Sequence, residues 1–191
     1  RVTPYDLGWT YGVSSGISEY GKNQVKWYQT SADTLISKGY FKSTITSEGI
    51  SDIQANENIT YGELLSTLGK MLEGEGYIRD TPTEESEKGY MTMMADLGFI
   101  RLAESSELSL TITRGQALEL FTDIIQEVSK DSIDTVDLNN FSDHYREIGK
   151  SVKVVNIVNG VGNNNIESER DLTVAEALTF LYRLMVKYPS K

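Results

Sequence analysis

Ile59-Thr60-Tyr61-Gly62-Glu63-Leu64, Ile112-Thr113-Arg114-Gly115-Gln116-Ala117 and Leu172-Thr173-Val174-Ala175-Glu176-Ala177 are three copies of one short phrase. Their threonines stand 53 and 60 residues apart. Self-similarity on this scale marks a chain built from repeated supersecondary units. Each copy is a Thr-x-x-Glu/Gln capping box: the threonine hydroxyl accepts from a backbone N–H one turn into a helix, and the Glu or Gln reaches back to the threonine N–H. An apolar residue before each threonine and another at the fourth helical position (Ile59 with Leu64, Ile112 with Ala117, Leu172 with Ala177) add a hydrophobic staple. Three helices should therefore begin at these points.

The residues after each box keep helical periodicity. The apolar positions are Leu64, Leu65, Leu68, Met71 and Leu72; then Leu118, Leu120, Phe121, Ile124 and Ile125; then Leu178, Leu181, Tyr182, Leu184 and Met185. Faces this broad suit a shared bundle core. Upstream of each box lies a second apolar stretch, closed by a residue that tolerates the left-handed conformation of a helix stop. The three are Ala32, Leu35 and Ile36 before Gly39; Met91, Met94 and Leu97 before Gly98; and Val152, Val154 and Val155 before Asn156. The third is rich in β-branched residues, which disfavour a helix. Polar loops join the stops to the boxes, over Lys42 to Asn58, Arg101 to Thr111 and Asn159 to Asp171, and there the copies differ most. The expected unit is a short helix, a turn, a variable loop and a longer capped helix. One such unit is too small to bury its apolar face alone, so three should pack together.

Composition narrows the function. A formal net charge of −10 opposes broad attraction to nucleic acid or anionic membranes, and no segment is apolar enough to span a bilayer. With no cysteine and a single histidine, His144, there is no thiolate site and no histidine cluster to hold a metal. No Gly-x-Ser-x-Gly elbow accompanies the histidine, and nothing among the 28 acidic residues selects a carboxylate pair for glycoside hydrolysis. The chain is expected to be non-enzymatic and to need no cofactor or metal. It begins at Arg1 without a leader, as a mature form or an excised fragment would.

An apolar helix ending in a Gly-Ile/Val-x-x-Gly turn, then a loop, then an Ile-Thr-Arg-Ala-Glu helix start is the pattern of the S-layer homology family, and this chain resembles it from about Trp27 to Tyr188. The third unit is closest. Phe141-Ser142-Asp143 resembles the family's opening Phe-x-Asp, Ile157-Val158-Asn159-Gly160 its turn, and Leu172 to Ala177 its signature. The resemblance divides the chain into units 1–78 (with an aromatic lead-in), 79–136 and 137–191. It implies an all-α fold, with three tandem helix-loop-helix units in a pseudo-threefold arrangement around a central bundle of capped helices. It further implies a non-catalytic anchor on a bacterial cell wall that binds an anionic, pyruvylated secondary polysaccharide in grooves between units, with other surface-layer proteins as further partners.

The signature arginine is the implied ligand of the polymer's carboxylate. Its position is Tyr61 in the first unit, Arg114 in the second and Val174 in the third. Arg114 is thus the first candidate ligand, with Thr113 and Gln116 beside it and Tyr61 as a sugar-stacking or hydrogen-bonding residue. An arginine on a first helical turn adds a bidentate donor to a positive helix end. The two missing arginines support a second reading, a degenerate copy of the fold used as a protein-interaction or structural module. The aromatics Tyr5, Trp9, Tyr11, Tyr20, Trp27 and Tyr28 fit a core better than a sugar platform. The Gly/Asn run 159–165 lacks the Lys and Ser/Thr of a phosphate loop and the carboxylates of a calcium loop, and reads as a turn.

Overall fold

Thr60, Thr113 and Thr173 each adopt extended backbone, and each side chain accepts from the N–H three residues on, while Glu63, Gln116 and Glu176 return to the threonine N–H. All three expected capping boxes are formed. The computed structural model describes residues 26–45, 51–129, 132–140, 153–158 and 165–190, and these are mostly helical. In chain order the helices are α1 (Gln29–Ser37), α2 (Tyr61–Gly74), α3 (Glu87–Asp96), α4 (Arg114–Val128) and α5 (Val174–Lys187). The described residues also hold two 3-10 turns, Ser105–Ser109 and Leu138–Asn140, and four short strands: β1 (Thr44–Ile45), β2 (Ser51–Asp52), β3 (Thr135–Asp137) and β4 (Lys153–Val155).

The stops of the first two short helices fall where the sequence puts them. Gly39 and Gly98 take φ of +79° and +78°, a conformation costly to any side chain. Around them Tyr40 N–H donates to Leu35 O and Phe99 N–H to Met94 O, both at 2.9 Å, the long-range bond of a Schellman end. The third expected unit departs from the pattern. Its upstream stretch is strand, not helix: β4 pairs antiparallel with β3 in the register Thr135↔Val155, Val136↔Val154 and Asp137↔Lys153. Asn156 is not left-handed there. Its backbone N–H donates to Asp134 O and its side-chain amide to Asp134 Oδ2. Two adjacent valines favour a pleated surface over a helix, where their χ1 freedom would be lost.

Leu64, Leu65, Leu68, Met71 and Leu72 of α2, Leu118, Phe121, Ile124 and Ile125 of α4, and Leu178, Leu181 and Leu184 of α5 are all fully buried, in one continuous apolar cluster. Around them the short elements pack on the longer helices. α3 packs on α2, β4 on α4, and α1 on α5. Gly69 lets α3 approach: a Cβ there would lie 2.4 Å from the Tyr90 ring. β4 is further tied to α4 where Val155 N–H donates to the buried Thr122 hydroxyl at 2.7 Å. Trp27 and Tyr28 pack partly buried against the same core, edge to face. Tyr5, Trp9, Tyr11, Tyr20, the Phe141–His144 stretch and residues 159–164 lie outside the described residues.

The segments that precede the capped helices meet each other. Asn58 bridges Thr173, Thr60 bridges Thr111, and Thr113 bridges Asp171, all antiparallel. Each segment is thus bridged to both of the others.

Candidate functional site

Position one of each capped helix is where the resemblance directs attention, and its backbone is already engaged. Tyr61 N–H donates to Leu110 O at 2.8 Å, Arg114 N–H to Arg170 O at 2.9 Å, and Val174 N–H to Glu57 O at 2.9 Å. At position two, Gly115 N–H goes to Ser168 O and Ala175 N–H to Ala55 O; position three belongs to the threonine. The first three amides of α4 and α5 are therefore committed to protein acceptors. An anion cannot use them without displacing a loop, which removes the helix-end half of the expected ligand site.

Arg114 is also not where the sequence suggests. Its side chain is 0% exposed and runs inward, so it is a core residue and not a surface ligand. Its Nε donates to Ile166 O at 2.6 Å, its Nη1 lies 2.8 Å from Glu176 Oε1, and its guanidinium sits 5.4 Å from the Phe180 ring centre. Arg170 holds Glu176 from the other side, with Nη2 2.6 Å from Oε1 and Nη1 3.2 Å from Oε2, and reaches Glu167 through Nε at 2.5 Å. Glu176 thus closes the capping box of α5 and receives two arginines. Burial alone would raise its pKa, but the Arg170 hydrogen bonds and the Arg114 charge outweigh that and hold it below the usual carboxylate value. Burial pulls the Arg114 guanidinium below its ordinary pKa, against the opposing pull of Glu176.

Tyr61 and Gln116, by contrast, come together. They line one cavity of about 300 Å³, with Arg101 and Glu107 from the preceding loop and the apolar side chains of Leu110 and Leu120. Tyr61 is half-buried and Gln116 exposed, while Thr113 behind them is occupied with capping. Arg101 grips Glu107 through both terminal nitrogens, Nη2 at 2.5 Å from Oε2 and Nη1 at 3.3 Å from Oε1. Glu107 also accepts from Glu104 N–H at 3.0 Å. The pair with Arg101, joined by that amide, holds the Glu107 carboxyl below its ordinary value. Desolvation pushes the Tyr61 phenol up, partly opposed by the charge of Arg101. No protein-family model matches this chain, and no curated protein matches it. The cavity must be judged on its own chemistry: one guanidinium paired with one carboxylate, one aromatic face, one amide and apolar side chains.

Two further hollows flank α2. One of about 310 Å³ mixes Lys42 and Lys70 with Glu63 and Glu87; the other, about 100 Å³, lies beside Val174 and is lined by Lys42, Asp52 and Glu57. Glu85 joins the first and Glu63 the second, so acidic groups outnumber lysines in both and neither suits an anion. Among the described residues no cluster of His, Cys, Asp or Glu is suited to a metal, and no helix is long and apolar enough to cross a membrane.

Sequence reasoning missed Arg101 and Glu107, which lie in the loop it treated as variable. It also missed that two of those loops are alike. Asp52 and Asn165 each accept through a side-chain oxygen from the N–H two residues on, and Gln54 and Glu167 then take φ of 51° and 52°. The paired stretches Asp52-Ile53-Gln54-Ala55 and Asn165-Ile166-Glu167-Ser168 stand at the same distance before Thr60 and Thr173. That signal is readable in the sequence once acids and amides are treated as equivalent.

Proposed function

We propose that the chain is a diverged S-layer homology module of three units in a pseudo-threefold arrangement, serving as a non-catalytic anchor at a bacterial cell surface. The observation that carries this reading is the closed order of bridges among the three signature segments, each held to both of the others. The short elements keep the same cycle: α3 of the second unit lies on α2 of the first, β4 of the third on α4 of the second, and α1 of the first on α5 of the third. Repeats that close on themselves in this way leave three loop-lined junctions. In this reading the junction at Tyr61 and Gln116 takes an anionic, pyruvylated wall polysaccharide, and the molecule works outside the cell alongside other surface-layer proteins. The experiment is co-sedimentation of the purified chain with cell-wall sacculi, before and after acid removes the secondary polymer. Binding that disappears on stripping supports the anchor.

The second reading, a degenerate copy of the fold acting as a protein-interaction or structural module, is favoured by one specific finding. Arg114, the only arginine in a signature position, is enclosed by Glu176, Ile166 and Phe180. Absence of sedimentation with either wall preparation would select this alternative.

A further inference from the structure

Among the hollows and charged groups of the molecule, the pair Arg101 and Glu107 is unusual in being both well formed and open. The Arg101 side chain is 75% exposed, yet it meets Glu107 fork to fork, the arrangement in which a guanidinium recognises a carboxylate. An ion pair this exposed contributes little to stability. It can therefore be exchanged for another of the same geometry at small cost. Glu107 does not depend on Arg101 for its place, because it also closes the 3-10 turn by accepting from Glu104 N–H. The Arg101 side chain is consequently the movable partner.

Resting on the polysaccharide reading above, we infer that this pair is a self-occupied carboxylate site: Glu107 holds Arg101 in the free chain, and the carboxylate of a bound acidic sugar replaces it. The surroundings fit such a ligand. Tyr61 presents a half-buried ring on which the apolar face of a pyranose can stack. Gln116 has its carbonyl oxygen committed to Thr113 N–H, so what it offers a ligand is its NH2 group, a donor to a sugar hydroxyl. A cavity of about 300 Å³ is at the small end of ligand pockets and suits a single sugar better than a length of polymer. In a chain of net charge −10, recognition of an acid must be local, and this guanidinium supplies it. Glu107 then sets the selectivity. A neutral sugar cannot replace it on Arg101, and an acidic one binds only by the margin over the internal pair.

The test is titration calorimetry of the full chain at fixed ionic strength. The probes are purified secondary wall polysaccharide in its native form and after chemical reduction of its carboxyl groups to alcohols. Glu107→Gln keeps the acceptor for Glu104 N–H and removes the competing charge, so affinity for the native polymer should rise several-fold, with no gain for the reduced form. Arg101→Ala should weaken native binding at least tenfold, whereas Arg79→Ala, an equal loss of charge at an exposed position outside the cavity, should leave it unchanged. Wild-type binding that is indifferent to Arg101→Ala, or no tighter in Glu107→Gln, overturns the self-occupied site while leaving the anchor standing. Lack of binding by wild type and Glu107→Gln alike overturns both.

Discussion

Arg114 illustrates how a residue type can be legible while its direction is not. Its place on the first turn of α4 is plain from the capping box, but its inward course depends on Glu176, more than sixty residues later. Loss of the Arg114 side chain leaves Glu176 held by Arg170, but it empties an enclosed site and strips the buried Ile166 carbonyl of its Nε donor; emptying an enclosed site typically costs about 2–5 kcal/mol. Arg114→Ala should thus lower the urea midpoint markedly; a midpoint within error of wild type would reject the buried pair. The pH dependence originates in Glu176. Its native pKa lies below its ordinary value of 4.5, so the unfolded carboxyl takes up its proton first as the solution is acidified. The stabilisation is complete above that ordinary value and is lost as pH falls through the lowered native pKa. Glu176→Gln keeps a capping box of the kind Gln116 makes but loses the charge. The stability difference between wild type and Glu176→Gln should be constant near neutrality and shrink in acid, and denaturation series from pH 7 to pH 3 would read it.

At the scale of elements, the helix starts were the most legible feature, because a capping box is written in residues only three positions apart. All three boxes form, and Thr60→Ala, Thr113→Ala and Thr173→Ala should each cost about 1 kcal/mol in a denaturant titration. The loss at Thr173 should be the least separable from Arg114, since Glu176 closes that box and also receives the buried guanidinium; a double-mutant cycle of Thr173→Ala with Arg114→Ala should be non-additive, and Thr60→Ala with Arg114→Ala additive. The stops at Gly39 and Gly98 were legible for the same local reason. The third was not: Asn156 reads as a stop although the valines before it disfavour a helix, and the stretch becomes strand by pairing with Thr135–Asp137, a partner that periodicity does not reveal. The cavity at Tyr61 was half legible: its signature residues were found, but Arg101 and Glu107 enter from a loop whose register is set by the 3-10 turn at Ser105–Ser109.

For the molecule as a whole, the packing of sequence-distant elements on one another decides how it should fail. If each unit were self-contained, damage to α5 would stay within residues 137–191. Instead α1 packs on α5, the segment before α5 is bridged to those before α2 and α4, and the ends of α2 and α5 are joined where the Tyr77 hydroxyl donates to Tyr188 O and the Ser190 hydroxyl to Glu75 O. Leu181 lies fully buried in the cluster these helices share. Leu181→Ala should therefore remove about 2–5 kcal/mol from the whole described core and not from one third of it. Native-state amide exchange distinguishes the two cases. In a single cooperative unit, the slowest amides of α2 and α4 lose as much protection as those of α5, and thermal unfolding remains one transition. Loss confined to α5 and α1, with α2 to α4 keeping wild-type protection, would mean that the bridges are too weak to couple the units, and a chain of separable repeats would take the place of a closed one.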